Sequence, residues 1–365
     1  MPRLRNQPGI SSGHSLDTGN DGGWPLPWRN ICILCILPPV IFQSICQCTN
    51  IDVWIRRERH WRVAVFFGGA ALAGAFGGIL AYAIGKMDGI GILTVVVSFA
   101  AFWFVPTWSH SAKFLTEPER ECLLARLQAD SDAADKEKFE WYFVRQALSD
   151  HLVWGYAFLF HGFAFALYSL SLFLPTIIAD LGFQTWKAQL MTVPPYSFAA
   201  LLIWLAAWLS AKYKLRAPFI IASAVLGIIG YIVLITTKTA GAQYTGVHFA
   251  TAGVYAGTAL LLSWPGENVS GQTKRAVSVA MQITIGDIGA VAGVLIYRPN
   301  FSQHNYRKPH IITVGYLAFA VAVASWLWFW MARENRRRDR ALPTDVDKVE
   351  KARQGDRHVE YRYQL

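Results

Sequence analysis

LVWGYAFLFHGFAFALYSLSLFL, residues 152–174, runs on without a single Asp, Glu, Lys or Arg. A helix of about 20 mainly apolar residues crosses the hydrocarbon core of a bilayer. Comparable stretches follow at Ala188–Tyr213, Ala217–Thr236, Thr245–Trp264, Ala276–Tyr297 and Ile311–Met331, separated by short polar loops. A water-soluble domain has no place to bury that many such segments in succession. The chain is therefore all-α and polytopic in the membrane, and its function must be sought among polar groups held inside the bilayer.

Composition agrees, with 53% hydrophobic and only 16% charged residues. Trp and Tyr gather near span ends, among them Trp154, Trp186, Tyr213, Trp264, Trp326 and Trp330, as an interfacial aromatic belt requires. The net charge of +10 does not mark a nucleic-acid binder, because the basic residues lie between spans, where they set orientation. The Arg56–Arg62 group, Lys212, Lys214 and Arg216, Lys274 and Arg275, and Arg333 to Arg340 all fall on one side if every segment crosses. That side is cytoplasmic by the positive-inside rule, which places the C-terminus inside; Arg307 and Lys308 run against the pattern. Asn300-Phe-Ser then lies outside as a glycosylation acceptor, whereas Asn268-Val-Ser lies inside and stays unmodified.

Before His151 the signal is weaker. Val63–Ile84 and Ile90–Thr107 are two further candidate spans, and Ile31–Gln47, broken by Pro38 and Pro39, is a third and short one. The chain divides into a divergent segment (1–50), a two-span remnant (51–109), a polar loop (110–150), the six-span block (151–333) and a charged tail (334–365). Within the loop, Thr116-Glu-Pro-Glu opens a short helix with a capping box, and Phe139–Leu148 forms a second helix suited to the membrane interface. The tail beyond Arg340 lacks apolar periodicity and is expected to be disordered. The five cysteines, Cys32, Cys35, Cys46, Cys48 and Cys122, have no histidine to complete a zinc knuckle, so no metal site is expected.

Several segments together resemble the major facilitator superfamily, and within it the fungal anion:cation symporters that include allantoate and nicotinic acid permeases. They are LYSLSLFLPTII (167–178), AQLMTVPPY (188–196), LSW (262–264) with NVSGQTKR (268–275), and ENRRR (334–338). IGDIG (285–289) and IYRP (296–299) look most like the nicotinate branch. The resemblance implies two six-helix halves, of which the C-terminal one is complete here. The N-terminal one is incomplete, with Val63–Trp108 similar to its last two spans, so an N-terminally truncated member is expected. The loop motif is degraded: in LSAKYKLR (209–216), Ala211 stands where the family often has Asp.

The residues that carry chemistry lie inside the spans. Asp287 sits mid-span, where a charge costs about 2.5–3.5 kcal/mol on insertion scales, so it must be protonated, paired or facing water. One reading makes it the proton-coupling group; the other makes it a protonated residue bonded to a neighbouring helix. His161 is either a second proton acceptor and substrate contact or a packing residue. Tyr168, Tyr196, Tyr255 and Gln282 offer ring faces, hydroxyls and an amide from four spans, suited to a flat carboxylate, although each also serves as interhelical glue. Pro194 and Pro195 interrupt a span and free backbone carbonyls, which favours a gating kink. Gly74-Ala-Phe-Gly-Gly provides a close helix contact.

The expected function is proton-coupled uptake of a small organic anion by alternating access, nicotinate first, with allantoate, pantothenate or another carboxylate behind it. The alternative is a truncated, non-transporting fragment or an assembly or sensing subunit. No GxxxxGK[ST] motif, nucleophile constellation or cofactor signature appears, so an enzyme is not expected. The partners implied are the anion, protons and the lipid bilayer, with the chain a monomer in the plasma membrane.

Overall fold

The computed structural model describes residues 63–74, 139–183, 185–297, 306–341 and 354–365. Among these residues the secondary structure is helical, with no strand. In chain order the helices are α1 (Val63–Gly74), α2 (Trp141–Leu148), α3 (His151–Ala179), α4 (Thr185–Leu190), α5 (Val193–Tyr213), α6 (Ala217–Thr236), α7 (Ala240–Asn268), α8 (Gln272–Ile296) and α9 (Arg307–Asp339). A short 3₁₀ turn, Gly355–Arg357, opens the last described segment. Six helical segments are long and apolar enough to cross a membrane, at the places the hydropathy predicts. The weak candidate Ile31–Gln47, the span Ile90–Thr107, the capping box at Thr116, all five cysteines and the Asn300 sequon lie outside the described residues.

The bundle is built on α7. Some 83% of its apolar window is buried, against 28% for α9, which makes α7 the central helix and α9 a peripheral one. Helices α6, α5 and α3 pack against α7, while α8 runs beside α3 and α9 covers α3 and α6. Small residues allow the closest approaches. A Cβ on Gly253 would strike the backbone of Ser223 and Gly227 in α6, and one on Gly293 would strike Phe165 in α3. Packing through glycine suits helices in lipid, where the hydrophobic effect supplies no force between them.

Polar groups inside the bundle are absorbed locally. Ser169, Thr251, Thr258 and Ser278 each return a hydroxyl proton to the carbonyl four residues back, at 2.8 Å. Asp150 caps α3 by accepting from the Leu152 amide at 3.0 Å. The predicted Ala188 span is two helices: the chain breaks at Met191–Thr192, and Pro194 and Pro195 occupy the first turn of α5. Met191 O, whose helical donor Pro195 removes, accepts from the Tyr244 hydroxyl (2.9 Å), and beside the break the Thr192 hydroxyl donates to Gln189 O (2.7 Å). The span is thus interrupted where the proline pair stands, and a protein hydroxyl reaches Met191 O there.

Two expectations change. The loop helix is shorter than predicted, and it leaves Phe139, Trp141, Tyr142 and Leu148 exposed while burying Gln146 and Ala147. The end of the tail is not disordered: residues 354–365 lie on the bundle with Asp356, His358 and Tyr363 buried. Main-chain hydrogen bonding and aromatic packing hold this segment, and neither leaves a periodic trace in sequence.

Candidate functional site

Inside the spans, three of the predicted residues converge. Tyr196 on α5 and Tyr255 on α7 meet edge to face, with ring centroids 5.5 Å apart, and both are buried. Ser171 and Tyr168 on α3 complete a hydroxyl cluster with them. Asp287 on α8 is half-buried and within electrostatic range of Tyr168. Among the described residues no hydrogen bond or ion pair reaches its carboxylate. A Cβ added to Gly74 of α1 would stand 3.5 Å from the Tyr196 ring, so α1 borders this cluster.

The other two predicted contacts point elsewhere. His161 Nδ1 lies 2.8 Å from Ile285 O on α8, and its ring faces Tyr316 of α9 at 5.7 Å. With Phe158, Ile312 and Phe319 it lines a groove between α3 and α9. Gln282 is fully buried, and its amide donates to Leu261 O on α7 at 3.2 Å. Its Oε1 has no partner among the described residues.

A second constellation, which the sequence does not announce, lies at the basic end of the bundle, where α5, α7 and α9 finish and α3, α6 and α8 begin. Lys274, at 0% exposure, donates to Asp150 Oδ2 (2.7 Å) and to both carboxylate oxygens of Asp356 (2.8 and 2.7 Å). Arg216 forms a bidentate pair with Glu267 (3.1 and 2.9 Å), and its remaining nitrogen donates to Ser210 Oγ (3.0 Å). Arg338 bonds Glu334 (2.9 Å) and lies over the Tyr363 ring at 4.8 Å. Burial pushes the Asp356 carboxyl above its ordinary value, and the ammonium of Lys274 only partly offsets this.

By sequence, Lys274 and Arg216 are orientation signals alone. The structure keeps them on one end with Lys212, Lys214 and the arginines of α9, as the loop pattern requires, but buries them in ion pairs. Acidic residues at the span ends, Asp150 and Glu267, are the available sign of this. Asn268 is also fully buried, its amide donating to Tyr156 Oη (2.9 Å) and Gln364 O (3.0 Å), which leaves its sequon no room for a glycan.

Residues 52–294 match the profile of the Major Facilitator Superfamily. The chain is 32% identical over 302 residues to an uncharacterized transporter of Schizosaccharomyces pombe, covering 78% of this chain and 60% of the relative. It is also 32% identical over 283 residues to the MFS transporter prlL of a fungal species, covering 73% and 57% respectively. Against the high-affinity nicotinic acid transporter of Saccharomyces cerevisiae the identity is 29% over 298 residues, covering 78% and 55%. The chain thus spans a little over half the length of these relatives. With its membrane-length helices and the profile covering more than half of its residues, the chain belongs to the major facilitator superfamily.

Proposed function

We propose that this chain carries the C-terminal half of a proton-coupled importer of a small organic anion, nicotinate being the first candidate, in the fungal anion:cation symporter branch. The observation that carries the reading is the hydroxyl cluster of Tyr168, Tyr196 and Tyr255, contributed by α3, α5 and α7, with the Asp287 carboxyl within electrostatic range. Aromatic faces and hydroxyl donors suit a flat carboxylate, and a carboxyl inside the span is the natural carrier of a coupled proton. Similarity to a nicotinic acid transporter supports the substrate class. His161 and Gln282 act in this reading as supports, holding α8 to α3 and α7 through Ile285 and Leu261. The break before Pro194 and Pro195 supplies the gating element, and alternating access moves the two halves about the cluster. The basic end faces the cytoplasm, and the membrane is the plasma membrane.

The test is uptake of labelled nicotinate at acidic external pH by cells expressing the chain. Accumulation abolished by a protonophore is the expected result. Membrane insertion without uptake of nicotinate, allantoate or pantothenate would reject it and favour a non-transporting fragment or assembly subunit, a reading the partial span of the relatives also supports.

A further inference from the structure

Residues 354–365 are held at the basic end by an arrangement that resembles a receptor and its peptide more than a loop and its neighbour. Two asparagines grip successive main-chain units. Asn335 of α9 donates to Tyr363 O (2.9 Å) and accepts from Tyr363 N (3.0 Å). Asn268 of α7 does the same for Gln364, at 3.0 and 2.7 Å. The Trp264 indole adds a third bond, to Gln364 O at 3.0 Å, and Arg338 donates to Asp356 O and Tyr361 O, both at 3.0 Å. All of these read the backbone, which is how extended peptides gain affinity from fixed side chains.

Specificity is supplied by two side chains of the segment. Tyr363 sits between the Arg338 guanidinium and the Trp330 ring, 4.8 and 5.8 Å away. Asp356 reaches the buried Lys274, whose other acceptor is Asp150. Lys274 thus carries a socket for one carboxylate from outside the bundle, and Asn268, Asn335 and Trp264 line the cleft beside it.

We propose that the basic end of α7, α8 and α9 is a peptide-binding cleft for a segment that presents one carboxylate and one aromatic ring, that residues 354–365 are its resident ligand, and that this segment docks reversibly as a strap tying the three helix ends. The proposal is independent of the transported substrate. A ligand tethered through the same chain meets its site at high effective concentration, so a strap of modest intrinsic affinity stays docked most of the time.

The experiment uses the full chain in detergent, with the native cysteines replaced by serine and Gln364→Cys as the reporter. Gln364 is held through its backbone, so this change preserves the clamp. Maleimide labelling of the thiol introduced at position 364, which is half-buried, is expected to be severalfold slower than that of an Arg362→Cys control, position 362 being exposed. Excess synthetic peptide spanning residues 354–365 should accelerate it severalfold by competition, and Asn335→Ala should bring it to the control rate. Tyr363→Ala, which alters the segment and not the bundle, should do the same and keeps the test informative if Asn335→Ala fails to fold. Labelling as fast as the control in the otherwise unchanged chain would overturn docking. Slow labelling that neither peptide nor these substitutions alter would make the segment a fixed part of the fold and overturn the cleft.

Discussion

Lys274 is the residue on which the basic end depends, because it is one cation serving two buried carboxylates. Breaking a buried pair by removing one partner costs about 3–5 kcal/mol, since the remaining charge stays buried and unanswered. Lys274→Met keeps most of the volume but leaves Asp150 and Asp356 facing each other. It should lower the melting temperature of the detergent-purified protein markedly, and Asp356→Asn added to it should restore part of the loss. A purely additive double variant would show that the two residues are not coupled. The same site sets a pH dependence. Burial raises the docked Asp356 carboxyl above its free value, so the docked segment binds a proton more tightly than the free one. Docking therefore gains as pH falls through the raised value toward the ordinary carboxylate range, and that gain is lost as pH rises. The charged or titratable groups around Asp356 are Lys274, Asp150, Arg338 and Tyr363, with His151 acting through Asp150. The ratio of labelling at position 364 to that of the control should fall as pH is lowered toward the ordinary carboxylate range, and Asp356→Asn should flatten that slope.

Among the elements, the contact of α3 with α8 shows how closely the helices are matched. A side chain at Gly293 would press on the Phe165 backbone, and one at Gly289 on His161, with its ring Nδ1 only 3.0 Å away. Backbone cannot swing aside as a flexible side chain can, so Gly293→Val should cost at least the ~1–3 kcal/mol typical of overpacking. Gly315 on α9 has nothing within 4 Å of the point where a Cβ would stand, so Gly315→Val should be tolerated. Monodisperse yield in detergent distinguishes them; equal yields would mean that the α3–α8 approach is looser than the structure has it. Helix existence is legible in the sequence at this scale because each span repeats the one strong signal, a long apolar run. The break before α5 is legible too, from Pro194 and Pro195. The docking of Asp356, Tyr363 and Gln364 is not, because main-chain clamps and a single carboxylate leave no pattern that separates a bound tail from a solvated one. The burial of Lys274 is hidden for a related reason: a lysine at a span end has the same sequence appearance whether it faces water or two aspartates.

In the whole molecule, the cluster and the basic end are joined by the same helices. Helix α7 carries Tyr255 at mid-depth and Glu267 and Asn268 at its end, and α8 carries Asp287 and Lys274 likewise. Tyr168, Tyr196 and Tyr255 are named together by the family resemblance and do meet, whereas the turn of His161 toward α9 depends on helix rotation that hydropathy does not report. Asp287 occupies the edge of an α8 face whose neighbours Ile288, Val291 and Leu295 are exposed. On that face a carboxylate that must lose its charge to cross the low-dielectric centre would couple a proton to each conformational cycle. Asn has nearly the same shape and cannot carry the proton. If the chain imports nicotinate as proposed, Asp287→Asn should therefore reduce its accumulation against a gradient by at least tenfold and remove its dependence on external pH. Exchange of internal for external nicotinate, which needs binding but no net proton movement, should persist. Uptake by Asp287→Asn that still rises at acid pH would take the coupling role from this residue and return it to a packing one.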